Sequence, residues 1–180
     1  MSRSLFAAPL LALLLATTSP ALAEPGQSLG KFGDWETALF KDDKGNNVCY
    51  MATKPVSTES AAPVKGRDPN VMLFVTHWPG DDEKNAVTVS AGYTYKPGSK
   101  ATVTIGGQEY MLAAGGKSEA EAQMAWVDNQ KKEDELSSAI QKGDKLTFKA
   151  TSKRGNVITD TYSLTGSADA YKAISKACGY

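Results

Sequence analysis

The stretch KLTFKATSKRGNVITDTYSL (residues 145–164) decides the fold, because it has the pattern of a strand, a turn and a second strand. Its segment SKRGN (152–156) combines glycine, asparagine and serine, which favour a turn. Before the turn apolar residues recur at every second position, which is the period of a half-buried β-strand, and after it three apolar residues share one face. These residues are Leu146, Phe148 and Ala150 before the turn and Ile158, Tyr162 and Leu164 after it.

The same period of two occurs along most of the chain. Val87 to Tyr95 alternates, and residues 101–112 do so on both sides of Gly106-Gly107, a pair suited to a tight hairpin. VMLFV (71–75) is apolar on both faces, as expected of a central strand. With shorter apolar stretches near residues 35, 48 and 124, seven or eight short strands result. The pattern predicts an all-β, two-sheet antiparallel β-sandwich, with a barrel as the alternative.

Two short helices are predicted beside the strands. Glu133 to Lys142 has apolar residues on one side and Gly143 just beyond its end. A C-terminal helix follows Ser167, which we interpret as its N-cap, and carries Cys178 on its apolar stripe. Residues 54–70 contain three prolines and few apolar residues, and they are expected to form a long exposed loop.

The N-terminal residues are typical of a secretory signal peptide. Arg3 precedes an apolar run from Leu5 to Ala16, and Ala21-Leu22-Ala23 fits a cleavage site. The run is about a dozen residues long, against the ~20 that span a bilayer, so a retained anchor is not expected. We predict that residues 1–23 are a cleaved signal peptide. Residues 24–180 would then form a single β-sandwich domain in the periplasm or outside the cell.

Cys49 and Cys178 are the two cysteines of the chain, and both belong to the part predicted to be exported. Two thiols in an oxidising compartment are expected to pair. In the chain-entropy model, a disulfide that closes the loop from Cys49 to Cys178 stabilises the fold by about 4 to 5 kcal/mol. A redox-active or nucleophilic thiol would need a CxxC motif or an activating neighbour, and the sequence shows neither. The sequence therefore predicts a structural disulfide.

The charges of the chain exclude partners that are recognised by bulk charge. The 20 basic and 20 acidic residues leave no net charge. Nucleic acid and anionic lipid surfaces attract strongly basic proteins, so neither is an expected partner.

The segment FVTHWPGDDEKN (74–85) contains the single histidine, His77. A metal site needs further ligands on convergent spacing, and a nucleophilic serine would need a paired histidine and acid. We interpret His77 and Trp78 as the end of a strand, which Pro79 stops because it has no N–H to donate. The acidic clusters 81–83 and 133–135 are interpreted as solvated turn and helix-start residues. No catalytic residue, metal site or cofactor is therefore predicted.

Aromatic residues offer the main candidate for binding. Trp78, Tyr93 and Tyr95 could form a platform for a sugar or a peptide, although alternating aromatic residues are more often core or edge packing. Lys153-Arg154, at the tip of a predicted hairpin, is a possible contact for an anionic partner, with a solvated turn as the alternative.

Several motifs together resemble one known family. They are FGDWE (32–36), CYMATKP (49–55), GYTYKPGS (92–99), AWV (125–127) and, most specifically, SKRGNVITDTYSLTGSADAYKAISKAC (152–178). The chain is similar in these segments to the invasion-associated locus B family of exported alphaproteobacterial proteins. The resemblance implies an immunoglobulin-like β-sandwich, and the family name refers to host-cell invasion.

The resemblance carries no enzymatic activity or ligand to particular residues. We therefore expect an exported, non-enzymatic protein of the cell envelope that acts through contacts with an unknown protein partner of the envelope or of a host. The alternative is a periplasmic module that binds a small molecule or glycan.

Overall fold

Burial alternates along several strands of the fold, which has eleven strands and two α-helices in its described part. The computed structural model describes residues 26–180, so the predicted signal peptide and its cleavage after Ala23 lie outside the described residues. The strands are Gln27–Phe32 (β1), Trp35–Lys41 (β2), Asn47–Thr53 (β3), Ser57–Ser60 (β4), Met72–Trp78 (β5), Glu83–Ser90 (β6), Lys100–Ile105 (β7), Gln108–Ala114 (β8), Met124–Trp126 (β9), Lys145–Thr151 (β10) and Val157–Ser163 (β11). The helices are Gln130–Lys142 (α1) and Ser167–Cys178 (α2).

All the strand pairs are antiparallel, and the strands join in the order β1-β2-β3-β5-β6-β9-β8-β7-β10-β11-β4. The three-residue strand β9 links the two halves, since it pairs with β6 on one side and with β8 on the other. The predicted β10–β11 hairpin is present, with Thr151 opposite Val157. We expected two separate sheets. The structure instead joins the two halves into one continuous hydrogen-bonded sheet.

One hydrophobic core lies between the halves of the sheet and the helices. The first half contributes Trp35, Met51 and Leu73, and the second contributes Phe148 and Tyr162, all fully buried. Helix α1 adds Leu136 and Ile140, and helix α2 adds Ala170 and Ile174. The predicted all-β antiparallel sandwich with two helices is confirmed, while the immunoglobulin-like strand connectivity stays a prediction.

Both helices differ at their N-termini from the sequence prediction. Helix α1 begins three residues earlier than predicted, because the Asn129 side chain accepts a hydrogen bond from the Lys132 N–H and caps it. In α2 the N-cap is Gly166, in the left-handed conformation, and Ser167 is the first helical residue. The Ser167 hydroxyl instead donates to the Ile140 carbonyl, at 2.8 Å, and so joins the start of α2 to α1.

Two predicted segments also differ from the structure. The strand predicted to reach Tyr95 ends at Ser90, because Gly92 has a φ of +69° and turns the chain. The predicted exposed loop of residues 54–70 contains edge strand β4, which pairs with β11 about one hundred positions away, as in the pair of Thr58 with Asp160. Within residues 26–180 no helix is long and apolar enough to cross a membrane.

The predicted disulfide is confirmed. Cys49 on β3 is bonded to Cys178 in the last turn of α2, with their Cα atoms 6.0 Å apart. Cys49 is fully buried, and the bridge fixes the C-terminal helix to the inner face of the first half of the sheet.

Candidate functional site

His77 lies at the end of a strand, as predicted, but it is fully buried. Strand β5 ends at Trp78, and Pro79 begins a short 3-10 turn. The imidazole ring lies opposite Cys49 across the β3–β5 pair and contacts the rings of Tyr171 and Tyr180. Burial lowers the pKa of His77 to about 4, with a smaller effect from nearby Lys84. His77 is therefore a neutral core residue at ordinary pH.

The structure supplies the serine that the sequence did not associate with His77. The Ser175 Oγ of α2 lies 3.1 Å from His77 Nε2, and the Asn85 N–H donates to His77 Nδ1 at 3.1 Å. Because Nδ1 is an acceptor in a neutral ring, the proton sits on Nε2 and is donated to the serine. A catalytic pair needs the opposite polarity, with the histidine accepting the serine proton. The hydrogen bond between His77 and Ser175 anchors α2 to the sheet. In this arrangement His77 cannot act as a base on Ser175.

Asn85 is the centre of a polar network between the sheet and the helices. It is 7% exposed, and its left-handed φ of +64° is a conformation that asparagine tolerates. Its side-chain Oδ1 accepts from the Tyr171 hydroxyl at 2.7 Å, and its Nδ2 donates to Asp134 at 2.6 Å. The network thus ties α1 and α2 to β6. No local sequence pattern indicates these contacts, because Asp134 and Tyr171 lie 49 and 86 positions from Asn85.

The acidic clusters contain one unusual carboxyl group. Glu133, in the first turn of α1, is 7% exposed, whereas Glu135 two residues later is exposed. Burial raises the pKa of Glu133 to about 7, and the charges of Glu83 and Asp134 add to the effect. Our interpretation of both acidic clusters as solvated is therefore wrong for Glu133. Among residues 26–180 no group of three or more His, Cys, Asp or Glu side chains is placed to hold a metal ion.

A buried ion pair lies at the other end of β6. Asp160, on β11, is fully buried. Its carboxylate accepts hydrogen bonds from both terminal nitrogens of Arg67, at 2.9 and 2.5 Å. The Thr58 hydroxyl donates to the same carboxylate at 2.6 Å, and Arg67 Nε donates to the Ala91 carbonyl. These contacts hold β4 and the chain after it against the sheet.

Three tyrosines surround this ion pair. The hydroxyls of Tyr93, Tyr95 and Tyr162 are buried and have no hydrogen-bond partner among the described residues. Burial raises the pKa of all three phenols, and the charge of Asp160 adds to the rise. Arg67 also lies over the Tyr93 ring, 5.4 Å from its centroid.

The three predicted binding residues do not form one platform. Trp78 ends β5 and is paired with Glu83, at the start of β6, whereas Tyr93 and Tyr95 follow the end of that strand. The eight residues of β6 separate the two positions by roughly 25 Å. Tyr95 is only 2% exposed and contacts Phe148 in the core, so it presents almost no surface. Trp78 and Tyr93 remain available, each on a different surface.

Trp78 belongs to a row of aromatic rings on the outer face of the sheet, the face that neither helix covers. The row runs Trp78–Phe40–Tyr50–Phe74, with centroid separations of 6.4, 6.0 and 6.0 Å in edge-to-face contacts. All four rings are half-buried. They alternate with core residues, as Phe74 and Trp78 do with Val75 and His77 on β5.

A groove adjoins this aromatic row. It consists of two depressions of about 340 Å³ each, which share Lys31, Glu36, Ala52 and Met72. Tyr50 lines the first depression, and Val56, at 63% the most exposed large apolar residue among residues 26–180, lines the second. We call the row and the groove together the outer-face surface. It offers apolar contact area with both positive and negative charges at its rim.

The fold and its sites define a class of protein: a disulfide-bonded antiparallel β-sandwich with two helices packed on one side and an uncovered aromatic face on the other. A family model described as "Invasion associated locus B (IalB) protein" matches residues 35–175. The chain belongs to this family, which confirms the resemblance seen in its sequence.

A solved structure supports the same fold. The chain is similar to the crystal structure of invasion associated protein B from Bartonella henselae, with 13% sequence identity and a TM-score of 0.57 over 84% of this chain and 98% of that one. At this identity the likeness concerns the fold. The comparison with curated proteins gave no match.

Proposed function

We propose that this protein is an exported, non-enzymatic component of the cell envelope that binds a protein partner through the outer-face surface. The single observation that carries the proposal is the row of four half-buried aromatic rings beside a groove, on a sheet face that its own helices leave uncovered. Aromatic residues and methionine are enriched at protein interfaces.

The occupant that fits this surface is an extended segment of another protein. The groove crosses β1, β2, β3 and β5, and its two depressions are contiguous because they share four lining residues, which suits a chain rather than a compact small molecule. Strand β1 is the edge strand beside the groove, and a peptide could pair with its free backbone groups. The printed family name, which refers to invasion, supports a role at a host surface.

The experiment that tests the interface is site-specific photocrosslinking in intact cells. A benzophenone amino acid replaces Met72, which lines both depressions, or Met111, which is 45% exposed on β8 in the other half of the sheet. We expect a discrete protein adduct from position 72 and none from position 111. The adduct should disappear when Tyr50 is also replaced by glutamate.

Two results would contradict the interface. Equal labelling from positions 72 and 111 would indicate non-specific contact, and an adduct that survives Tyr50→Glu would place the contact elsewhere. If the variant Tyr50→Glu loses its folded circular dichroism spectrum, Val56→Glu, on the exposed wall of the second depression, serves as the second variant.

Export is tested separately. We expect the mature chain to be released by osmotic shock and to begin at Glu24 when its N-terminus is sequenced. A protein that retains residues 1–23 and stays in the cytoplasmic fraction would overturn the proposed location.

A further inference from the structure

A second surface concentrates positive charge in a chain that has no net charge overall. A cleft of about 320 Å³ lies between the tip of the β10–β11 hairpin and the segment that follows β4. Its cations are Lys65, Lys153 and Arg154, and none of the side chains that line it is acidic. The buried Asp160 is already paired with Arg67. The side chains that line the cleft therefore carry a net positive charge.

The backbone of the cleft is held in place on both sides. The Arg154 guanidinium donates to the Lys65 carbonyl at 3.2 Å and connects the hairpin tip to the opposite wall. The Lys153 N–H donates to the Thr94 carbonyl at 2.8 Å. At the base, Gly92 is indispensable, because a Cβ there would lie 2.6 Å from the Asp68 carbonyl oxygen. The shape of the cleft thus exists before any ligand arrives.

The lining of the cleft combines an aromatic ring with polar groups. Tyr93 lines one wall, and the Arg67 guanidinium lies against its ring. Gln123, Ser152 and Asn156 add side chains that both donate and accept hydrogen bonds. An aromatic wall with amide and hydroxyl groups suits the ring and hydroxyls of a sugar, and the cations suit a carboxylate or phosphate. The volume is near the lower end of the range for ligand sites, roughly 300 to 1,000 Å³.

We propose that this cleft binds a small anionic sugar, one that carries a carboxylate or a phosphate next to its hydroxyl groups. The site is independent of the outer-face surface, since the two have no lining residue in common. Lys153 and Arg154 would contact the anion, and Tyr93 would pack against the sugar ring.

The test is a titration of the purified mature protein followed by amide NMR and calorimetry. The probes are glucuronate, glucose 1-phosphate, glucose and inorganic phosphate. We expect one or both of the anionic sugars to bind and to shift the amides of Gly66, Gly92 and Arg154. The carboxylate and phosphate arms distinguish a sugar acid from a sugar phosphate.

Matched variants locate the binding. Lys153→Gln with Arg154→Gln should weaken it about tenfold or more, because two charge-assisted contacts are lost. Lys149→Gln, an exposed lysine on β10 that does not line the cleft, should leave it unchanged. The proposal is overturned if neither anionic sugar binds at millimolar concentration, if glucose or phosphate alone binds equally well, or if the double variant binds like the wild type.

Discussion

At the scale of single residues, two buried groups titrate in opposite directions. Burial raises the pKa of Glu133 from 4.5 to about 7, so the folded state prefers the neutral acid. The contribution of Glu133 to stability is then complete below pH 4.5 and is lost as the pH rises through about 7. Burial lowers the pKa of His77 from 6.5 to about 4, so its contribution is complete above pH 6.5 and is lost as the pH falls towards 4. Between pH 4.5 and 6.5 the contribution of Glu133 to stability falls with rising pH, while that of His77 rises.

Replacing Glu133 by glutamine removes the pH dependence of stability that this carboxyl group causes. We expect Glu133→Gln to raise the free energy of unfolding by about 1 to 2 kcal/mol at pH 8, a value reduced from the full pKa shift because of solvent screening. Below pH 4.5 the gain should vanish. Urea unfolding from pH 4 to 8 would measure it, with stability of the variant rising with pH between 4 and 6.5 as His77 loses its proton. The exposed Glu135→Gln is the control, and an equal gain in that variant would refute the role of burial.

The ion pairs of this protein contribute differently to its stability according to their burial. Asp160 is fully buried beneath Arg67, whereas the pair of Asp169 and Lys172 is exposed, with side-chain exposures of 67% and 77%. Asp160→Asn leaves the buried guanidinium without its counter-charge, so we expect a loss of about 3 to 5 kcal/mol of stability. Asp169→Asn should match the wild type within error. Denaturant midpoints compare the two variants, and similar losses in both would contradict this ranking.

At the scale of elements, one close contact joins the β1–β2 turn to the start of α2. Gly33 and Gly166 both have positive φ values, of 56° and 86°, and a Cβ on either would clash with the backbone of the other segment. The Asp34 N–H donates to the Thr165 carbonyl at 3.1 Å at the same place. The contact determines how α2 enters the fold.

Two glycine substitutions distinguish the cost of the left-handed backbone conformation from the cost of the steric clash at Gly166. Gly155, in the β10–β11 turn, has a φ of +87° with nothing near its missing Cβ. Gly155→Ala should cost only the left-handed conformation, about 1 to 2 kcal/mol. Gly166→Ala should cost a further 1 to 3 kcal/mol, because the added carbon displaces the Phe32 carbonyl. Thermal unfolding of both variants measures the difference, and equal costs would show that the contact yields easily.

Prediction from sequence succeeded where the signal was local. The hairpin of β10 and β11 follows from six apolar residues on alternating positions, interrupted once by Asp160, and a turn between them. Strand β4 was missed because its four residues, Ser57 to Ser60, are polar and its partner strand is about one hundred positions away. Arg67 was assigned to an exposed loop for the same reason, since no local period indicates a charge that pairs across 93 positions.

The candidate site was harder to predict than the fold. Trp78 and Tyr93 were singled out for their residue type, yet the structure places them at opposite ends of β6. Phe40, Tyr50 and Phe74 form a row with Trp78 only because β2, β3 and β5 are neighbours in the sheet. The strand order carries this information, and the alternation of residues does not. Lys153 and Arg154 were noted, whereas the cleft beside them needs Lys65 from another segment.

At the scale of the whole molecule, the two ends of the sheet are held in place by different means. Edge strand β4 is held by the Arg67–Asp160 pair, and the first half of the sheet is covered on its inner face by α2. The disulfide of Cys49 and Cys178 fixes that helix, and the Ser175–His77 contact lies beside it. Loss of the bridge should therefore release α2 first and expose the inner face of β3.

We expect reduction of the disulfide to lower the free energy of unfolding by about 4 to 5 kcal/mol, since the bridge closes a loop of 129 positions in the unfolded chain. That is a large share of the roughly 5 to 15 kcal/mol that stabilises a typical domain. Urea unfolding with and without dithiothreitol measures the loss, and thiol titration confirms that both cysteines are free. The double variant Cys49→Ala with Cys178→Ala should have the lower stability in both conditions and show no response to reductant. An unchanged midpoint in the fully reduced wild type would mean that packing of Ala170 and Ile174, rather than the covalent link, holds α2 on the sheet.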